Sequence, residues 1–418
     1  MRSLEKENLI VGLDIGTSKI LAVVAEVRGE DELEVIGVGH CPSKGLKKGV
    51  VANIESTVES IQSAIEEAEL TSDCQIMSVY TGIAGAHVNS LNSHGVVAIR
   101  TEEVSDTDVE RVIEAARALA IPTDQKVLHI LPQDFIIDGQ QGIREPIGMS
   151  GIRLESKVHI ITGAVSAVQN ILKCIRRCGL ETDEVILEPL ASSLAVLEDD
   201  EKDLGVCLID IGGGTTDIAI FAEGSIRHTS VIPIAGDQVT KDIAIALRTP
   251  TVAAEELKTQ YGSAFSRLVT ESEPIDVPSV GEQDSRTLTP SNIAEVIEPR
   301  VEELFLLIQA EIFNSGFEEM LGAGIVLTGG TSRMQGMTEL AEEVFGIPVR
   351  LGLPRYVGGL SEVVRSPIYA TAFGLVRFGQ QVRREPSISR MRLSGGRKLI
   401  LRIKDWFRGE FGDRGKYE

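Results

Sequence analysis

The turn in the segment LIDIGGGTTDIAIF, residues 208–221, combines residue types that suit a bound phosphate. Three consecutive glycines remove side chains from the turn, so another group can approach its backbone closely. Bare amides and threonine hydroxyls suit phosphate oxygens, and the carboxylates of Asp210 and Asp217, which flank the turn, suit a magnesium ion. The turn therefore indicates a phosphate site, although glycine-rich hairpins also serve as plain turns.

The same pattern occurs a second time, in VGLDIGTSKILAVV at residues 11–24. Asp14 corresponds there to Asp210, and each aspartate lies in an apolar strand just before glycine and hydroxyl residues. A duplicated unit predicts two similar domains whose hairpins hold one polyphosphate from opposite sides. Asp14 and Asp210 are the predicted magnesium residues, acting through water because Mg²⁺ releases its hydration shell reluctantly. The alternative is that each aspartate caps a turn at a strand end.

Further residues of the two hairpins are expected at the β- and γ-phosphates. They supply main-chain amides and hydroxyls and are Gly16, Thr17, Ser18, Gly212, Gly213, Gly214 and Thr215. Lys19 could add a positive charge, but an exposed strand lysine explains this residue almost equally well. A third glycine turn, in GIVLTGGTSRM at residues 324–334, lacks an aspartate and is therefore expected at the nucleoside end. The spacing of a P-loop occurs nowhere in the chain.

Composition and charge exclude several classes of protein. The chain has 418 residues, enough for two domains or more, and its 43% hydrophobic and 25% charged residues are typical of a soluble globular protein. A net charge of −21 and an aromatic content of 4% argue against nucleic-acid binding. The N-terminus does not resemble a signal peptide, and no apolar run approaches about 18 residues, so we expect no bilayer crossing. Five cysteines, an odd number, indicate a reducing cytoplasm, and Cys174 and Cys178 are expected to be buried in a helix.

Alternation and spacing predict the elements that carry these turns. The strands around the first turn should form an antiparallel meander, followed by a helix over residues 53–70. Residues 84–162 predict a self-contained α/β insertion, and EVILEPLASS, residues 184–193, is expected to be a strand. The polar, proline-containing region 241–300 predicts an outer subdomain, and a helix over 297–313 leads back to the third glycine turn.

Five segments resemble, in their order along the chain, the nucleotide-binding motifs of the actin, Hsp70 and sugar-kinase superfamily: VGLDIGTSK, ILEPLASS, LIDIGGGTTDIAIF, IPIAGD and GIVLTGGTS. Within it, the chain resembles the FtsA family of bacterial cell-division proteins almost from end to end, in stretches such as CPSKGLKKGVVANIEST, IGMSGIRLESKVH and VIEPRVEEL. This resemblance implies an actin-like two-domain α/β fold of duplicated RNase H-like halves. The implied parts are subdomain 1A (1–83 with 163–196 and 355–379), an inserted small α/β subdomain 1C (84–162), subdomain 2A (197–240 with 301–354), subdomain 2B (241–300), a flexible linker (380–396) and an amphipathic membrane-targeting helix (397–411).

The superfamily resemblance implies ATP with Mg²⁺ as the ligand and gives further residues a role. Gly236 and Asp237 resemble the ribose and phosphate contact of the superfamily. Gly329, Gly330 and Arg333, from the third glycine turn, would close the adenine side.

Three more residues follow from the resemblance. Glu255 and Lys258 resemble a pair that related actin-like proteins use against adenosine, with a solvated ion pair on one helical face as the alternative. Glu188 resembles the carboxylate that orients water in some actin-like ATPases. Orienting water is a modest part of phosphoryl transfer, so we expect at most slow hydrolysis, with ATP acting mainly as an assembly or conformational ligand.

The C-terminal residues have a composition of their own. Residues 377–418 contain twelve Lys and Arg against five Asp and Glu, although the chain as a whole carries a net charge of −21. Residues 380–396 are polar, basic and aperiodic, which predicts a flexible linker. On a helix over residues 397–411, bulky apolar side chains fall within an arc of about 140°, with basic residues on its flanks. These apolar residues are Leu399, Ile400, Ile403, Trp406, Phe407 and Phe411.

Such a helix is typical of a segment that lies in the surface of an anionic membrane. It also resembles the membrane-targeting helix of the FtsA family. The alternative is a C-terminal helix docked on the core of the protein itself.

The resemblance implies a polymerising adapter at the division site. Such a protein anchors filaments of the tubulin-like protein FtsZ to the cytoplasmic face of the inner membrane and recruits later division proteins, through subdomain 1C. The acidic C-terminal tail of FtsZ is expected at subdomain 2B, where Arg286, Arg300 and Glu303 are the candidate contacts. A phosphotransferase of the sugar-kinase kind is the alternative function, and a chaperone ATPase ranks below it because few residues follow the nucleotide-binding body.

Overall fold

Two sheets, each built on one of the duplicated glycine hairpins, form the frame of the protein. The computed structural model describes residues 8–28, 32–270, 273–280, 286–355 and 358–384. The strands are β1 (Leu9–Ile15), β2 (Lys19–Arg28), β3 (Glu32–Pro42), β4 (Leu46–Lys47), β5 (Val50–Val51), β6 (Ser78–Ile83), β7 (Val88–Ala98), β8 (Gln125–Ile137), β9 (Gln140–Ile143), β10 (Arg153–Ala164), β11 (Glu181–Leu187), β12 (Val206–Ile211), β13 (Thr216–Ala222), β14 (Ser225–Ile232), β15 (Ile275–Val277), β16 (Arg286–Leu288), β17 (Ile325–Thr328), β18 (Val349–Leu351) and β19 (Gly358–Gly359). The helices are α1 (Ile54–Ser72), α2 (Asp106–Arg117), α3 (Val165–Arg177), α4 (Glu188–Val196), α5 (Asp199–Leu204), α6 (Gly236–Ala246), α7 (Thr251–Tyr261), α8 (Pro290–Ser315), α9 (Met337–Phe345), α10 (Ser361–Val364) and α11 (Ala370–Arg384).

The two sheets repeat one arrangement, as the duplicated sequence predicts. In the first half, the strand order is β11-β6-β1-β2-β3-β19, with β1, β2 and β3 antiparallel and β6 parallel to β1. In the second half, the order is β14-β13-β12-β17-β18, with β12, β13 and β14 antiparallel and β17 parallel to β12. Each half therefore carries its glycine turn between the first two strands of a meander, at the same place in the sheet.

Helices between the sheets join the two halves through a common core. α11 packs against α4 and against β1, β2 and β6 of the first sheet. The core contains Leu13 from β1, Phe373 from α11 and Phe221 from β13, all fully buried. A second core lies on the other side of β12 and β13, under α6, α8 and α9. Among the described residues, none of the helices combines the length and the apolar character that a bilayer crossing requires.

The predicted insertion forms a sheet of its own, which we call the inserted domain (residues 84–162). Its strand order is β7-β10-β8-β9, and α2 covers one face. Ser105 and Asp108 form a capping box at the start of α2. Gly95 of β7 allows this helix to lie close, because a Cβ there would clash with the carbonyl oxygen of Val112.

Two local predictions are wrong at their boundaries. The strand expected over 184–193 ends at Leu187, and α4 begins at Glu188 because proline is tolerated in the first turn of a helix but cannot donate within a sheet. Residues 380–384, expected in the linker, belong instead to α11, which continues to Arg384. No glycine or proline interrupts residues 380–384, and Arg383 and Arg384 are favourable at the C-terminal end of a helix.

The outer region also differs from its expected outline. The helix predicted over 297–313 begins earlier, at Pro290, where Thr289 and Asn292 form a capping box. It continues through Pro299 to Ser315, so one helix runs across the expected boundary between subdomains 2B and 2A.

Candidate functional site

A cavity of about 780 Å³ lies between the two glycine hairpins. Most of the residues predicted for the nucleotide and the metal line it: Asp14, Gly16, Thr17, Ser18, Lys19, Glu188, Asp210, Gly212, Gly213, Gly214, Thr215, Glu255, Lys258, Gly329, Gly330 and Arg333. Gly236 and Asp237 lie next to it, since Asp237 Oδ1 accepts a hydrogen bond from Ser18 Oγ at 3.2 Å. The fold thus brings the predicted residues of all three glycine turns to one place.

The two hairpins touch each other across this cavity. A Cβ on Gly213 would clash with Ser18 Oγ, and one on Gly214 would lie 2.6 Å from Thr17 Oγ1. Thr17 Oγ1 itself accepts a hydrogen bond from Gly49 N at 3.0 Å. The glycines are therefore required by the close approach of the two halves, in addition to any ligand.

Carboxylates are concentrated at the centre of the cavity. Asp14, Asp210 and Asp217 are 6%, 8% and 4% exposed. Burial raises the pKa of Asp14 to about 7, against the opposing effect of Lys19, and raises that of Asp217 to about 8, with Asp210 adding repulsion. Burial, together with the neighbouring aspartates, also raises the pKa of Glu188 well above its ordinary value. Such a cluster carries mutual repulsion that a cation would relieve.

Asp217 lies beside the turn in the sequence, but only Asp14 and Asp210 are predicted there as the magnesium residues. The register of β12 and β13 places it directly opposite Asp210, so both side chains lie on one face of the sheet. Asp217 Oδ1 is buried and has no hydrogen-bond partner among the described residues. The signal was present in the sequence, because the two aspartates flank the glycine turn symmetrically.

Asp210 is held by hydroxyl groups of the first half. Ser192 Oγ, from α4, donates to Asp210 Oδ2 at 2.7 Å, and Thr371 Oγ1, from α11, donates to the same oxygen at 3.3 Å. These hydrogen bonds favour the charged carboxylate and oppose the effect of burial on its pKa, which is raised. Ser192 lies in the ILEPLASS motif, but nothing in the sequence places Thr371 beside it.

Lys19 lies in the cavity and is not an exposed strand lysine. Burial lowers the pKa of its ammonium group to about 8, although Asp14 and Asp210 act in the opposite direction. Its position beside the aspartates gives the centre of the cavity one positive charge for a phosphate or a carboxylate.

The wall of the cavity also contains Glu255 and Lys258, the pair predicted at the nucleoside. Lys258 Nζ donates to Glu255 Oε2 at 2.6 Å, to Thr240 Oγ1 at 2.9 Å and to the carbonyl oxygen of Gly236 at 3.2 Å. Lys258 is only 9% exposed whereas Glu255 is 49% exposed, so the pair is half-buried and not fully solvated. The lysine instead ties α7 to the first turn of α6.

The third glycine turn, expected at the nucleoside, lies beside the predicted magnesium residue Asp210. Gly329 has a φ of +87°, and a Cβ there would clash with Asp210 Oδ1. Thr331 Oγ1 donates to the carbonyl oxygen of Gly212 at 2.7 Å, a contact that the sequence did not predict. This turn therefore buttresses the second hairpin as well as closing the cavity.

Of the residues predicted to bind FtsZ or the membrane, the structure describes only those predicted for FtsZ. Arg300, on α8, pairs with Asp242 and Glu303, and Arg286 donates to the carbonyl oxygen of Leu247. The six apolar residues predicted for the membrane, within 397–411, lie outside the described residues.

The raised pKa of Asp217 predicts a pH-dependent stability in the absence of magnesium and nucleotide. The ordinary pKa of 3.8 is raised to about 8 by folding, so between these values the folded state keeps a proton that the unfolded state has lost. The free energy of unfolding should therefore fall as the pH rises through this range. Denaturant titrations measure the free energy of unfolding of Asp217→Asn and of the unmodified protein. The variant's value minus that of the unmodified protein should increase by at least about 1 kcal/mol from about pH 5 to about pH 8.

Asp200→Asn is the matched control, because Asp200 is an exposed aspartate of the same half. Its free energy of unfolding should stay within about 0.5 kcal/mol of that of the unmodified protein, as is usual for an exposed substitution. Parallel stability curves for Asp217→Asn and the unmodified protein would contradict the prediction.

Two family models match the chain. One, described as cell division protein FtsA, matches residues 207–374, and the other, described as the SHS2 domain inserted in FTSA, matches residues 85–162. The second match coincides with the inserted domain.

Proteins named cell division protein FtsA are similar to the chain over nearly its whole length. The Pseudomonas aeruginosa protein is 59% identical, over 98% of this chain and 100% of the relative. The Neisseria meningitidis protein is 50% identical, over 97% and 100%, and the Escherichia coli K12 protein is 44% identical, over 96% and 98%.

Solved structures with a similar fold include actin-like proteins. The PilM-PilN type IV pilus biogenesis complex matches with a TM-score of 0.64 at 21% identity, over 89% of this chain and 98% of that one. MreB5 of Spiroplasma citri bound to ADP matches with a TM-score of 0.57 at 15% identity, over 92% and 99%. These structures show the actin-like fold, and the matches along almost its full length show that the chain belongs to the FtsA family of cell division proteins.

Proposed function

We propose that the chain is an ATP-binding division protein that polymerises on the cytoplasmic face of the inner membrane. There it anchors FtsZ filaments at the division site and recruits later division proteins. The observation that carries the nucleotide part is the cavity between the duplicated hairpins, with Asp14, Asp210 and Asp217 buried at its centre. The division role follows from membership of the FtsA family.

The residues at the centre of the cavity fit a magnesium ion. Mg²⁺ takes oxygen ligands and keeps several waters, and three buried carboxylates with raised pKa values supply oxygens that a cation would stabilise. The unpartnered Oδ1 of Asp217 points to the same ligand class. A bound ion would neutralise phosphate charge, the amides of the two hairpins would hold the phosphate oxygens, and Lys19 would add a positive charge.

The nucleotide acts mainly as an assembly ligand in this proposal. The raised pKa of Glu188 means that its carboxyl group keeps a proton to higher pH than usual. Orienting water is a modest part of phosphoryl transfer, and slow hydrolysis suits a protein whose state is set by the nucleotide it holds.

Membrane attachment is assigned to the C-terminal residues 397–411. Their apolar arc and basic flanks suit a helix in the surface of an anionic membrane, and a filament would present many such helices together. Peripheral attachment at the inner membrane is consistent with family membership.

Electron microscopy on anionic lipid monolayers tests the proposal as a whole. With Mg²⁺ and ATP, the purified protein should form filaments on the monolayer, and without nucleotide these should be sparse or absent. Filaments that form equally well in both conditions would contradict ATP-dependent assembly. Rapid ATP turnover stimulated by a small polyol would instead favour a phosphotransferase.

Binding of the FtsZ tail is proposed at the outer part of the second half. Arg300→Glu should weaken binding of an FtsZ tail peptide by at least about ten-fold. The substitution replaces a positive guanidinium, which can bind a carboxylate through two hydrogen bonds, with a carboxylate that repels the acidic tail. Fluorescence anisotropy with a labelled peptide measures the change.

Arg267→Glu is the matched control, since Arg267 is 70% exposed in the same half and pairs with Glu343. It should bind the peptide as the unmodified protein does. Because Arg300 pairs with Asp242 and Glu303, the melting temperature of the variant must also be compared. Equal peptide affinity for a folded Arg300→Glu protein would remove this residue from the FtsZ site.

A further inference from the structure

The inserted domain contacts the second half through hydrogen bonds to β14, the edge strand of the five-stranded sheet. Side chains of the inserted domain donate to main-chain carbonyl oxygens of this strand: Ser90 to Thr229 (2.8 Å), Asn92 to Arg227 (3.2 Å) and Gln133 to Ile226 (2.9 Å). An edge strand has carbonyl groups that no neighbouring strand satisfies. These side-chain donors therefore take the place of the N–H groups that a further strand would supply. Gln133 is only 8% exposed, which makes this a buried contact.

His159 completes the same contact. Its Nδ1 lies 2.7 Å from Asn92 Oδ1, and its Nε2 lies 2.9 Å from Thr229 Oγ1. The amide oxygen can only accept, so Nδ1 carries the proton and Nε2 accepts from the threonine hydroxyl. Burial lowers the pKa of His159 to about 3, with His228 adding to the effect, and the neutral ring keeps both hydrogen bonds at neutral pH. Buried polar groups that are matched in this way hold two surfaces in one arrangement.

The inserted domain also contacts the first half, beside the cavity. His129 of β8 accepts a hydrogen bond from Leu187 N at 3.0 Å. Leu187 ends β11, the edge strand of the six-stranded sheet, and directly precedes Glu188. His129 therefore holds the corner between β11 and α4 from which Glu188 enters the cavity.

The strand contacted in the second half is likewise connected to the cavity. β14 is paired with β13, whose second residue is Asp217, and β14 is followed closely by Gly236 and Asp237. Because paired strands move together, a displacement of the second hairpin also displaces β14.

We propose that the inserted domain is a conformational link across the nucleotide cleft, and that it changes orientation when the two halves close around a nucleotide. This inference rests on the proposed function, because it requires the nucleotide to bind between the hairpins. The inserted domain is joined covalently to the first half at both ends and to the second half by the β14 contact. A change in the separation of the halves must therefore alter either the β14 contact or the His129 contact, and the nucleotide state reaches the surface of the inserted domain.

Hydrogen–deuterium exchange of the full chain, with and without Mg²⁺ and ATP, tests this link. In the unmodified protein, nucleotide should slow exchange in both hairpins and change it in β7 and β8. In a double variant, Asn92→Ala with Gln133→Ala, the hairpins should still respond and the response of the inserted domain should be lost. His94→Ala is the matched control, because His94 lies on the same strand and pairs with Glu155 within the inserted domain. It should keep both responses.

The outcomes separate this inference from the proposed function. If the hairpins respond in the unmodified protein and the inserted domain does not, the link is wrong and nucleotide binding stands. An inserted domain that still responds in the folded double variant would also overturn the link. If nucleotide leaves the hairpins unchanged, the proposed function fails, and the link with it. If the double variant does not fold, the unmodified protein alone decides the question. A response of β7 and β8 to nucleotide is the expected result, and no response there overturns the link.

Discussion

Replacing Asp210 with alanine is expected to remove magnesium-dependent ATP binding, with at least about a 100-fold loss of affinity. Asp210 occupies the centre of the cavity, where hydroxyls from Ser192 and Thr371 orient its carboxylate and Gly329 packs against it. Its removal leaves Asp217 without its counterpart across the strand pair, so a magnesium ion would lose one of the carboxylates that hold it. Isothermal titration calorimetry with ATP, in magnesium and in EDTA, measures the effect.

Asp200→Ala serves as the control, because it removes an exposed aspartate from the same half. It should bind ATP as the unmodified protein does. The Asp210→Ala protein must be folded, which circular dichroism checks. If it then keeps the original magnesium-dependent affinity, the metal site lies elsewhere.

Truncation after Gly396, or the substitution Trp406→Glu, is expected to reduce binding to anionic vesicles to background in a flotation assay. A carboxylate in the apolar arc of the proposed helix would be placed at the acyl boundary, and it would also be repelled by anionic lipid. A single helix of this length binds weakly and reversibly, and self-association multiplies its effective concentration at the surface. Loss of the helix should therefore remove binding by monomer and filament alike.

Leu401→Glu is the matched control for charge. Leu401 falls on the polar face of the same predicted helix, so the same substitution should weaken binding much less than Trp406→Glu. ATP binding should be unchanged in all three proteins. A truncated protein that still floats with the vesicles would show that these residues are not the anchor.

Much of the fold could be predicted because its signals are local. The spacing LDIG-T-S and IDIGGGTTD marks two copies of one strand–turn–strand unit, and two such copies imply two similar halves. Alternation of apolar residues identified the meander after the first turn, and the helix predicted over 53–70 corresponds to α1. The inserted domain was also recognisable, because its strands and helix follow one another without a gap.

The errors in the elements arise where local signals conflict. In residues 184–193, the β-branched residues Val185 and Ile186 favour a strand, but pairing with β6 ends at Leu187, opposite the last residue of β6, Ile83. At residues 380–384, the basic polar sequence is compatible with linker or helix. Burial of Gln380 against the body, at 4% exposure, favours the helix.

By itself, the sequence determined the duplicated hairpins and the family, because these signals lie in short segments whose residues are neighbours in the chain. Only the tertiary structure decided how the site is supported. Thr371 reaches Asp210 across 161 residues, and His159 reaches Thr229 across 70. Such contacts depend on how separate elements pack, and a side chain that serves a distant partner leaves no periodicity or spacing in its own segment.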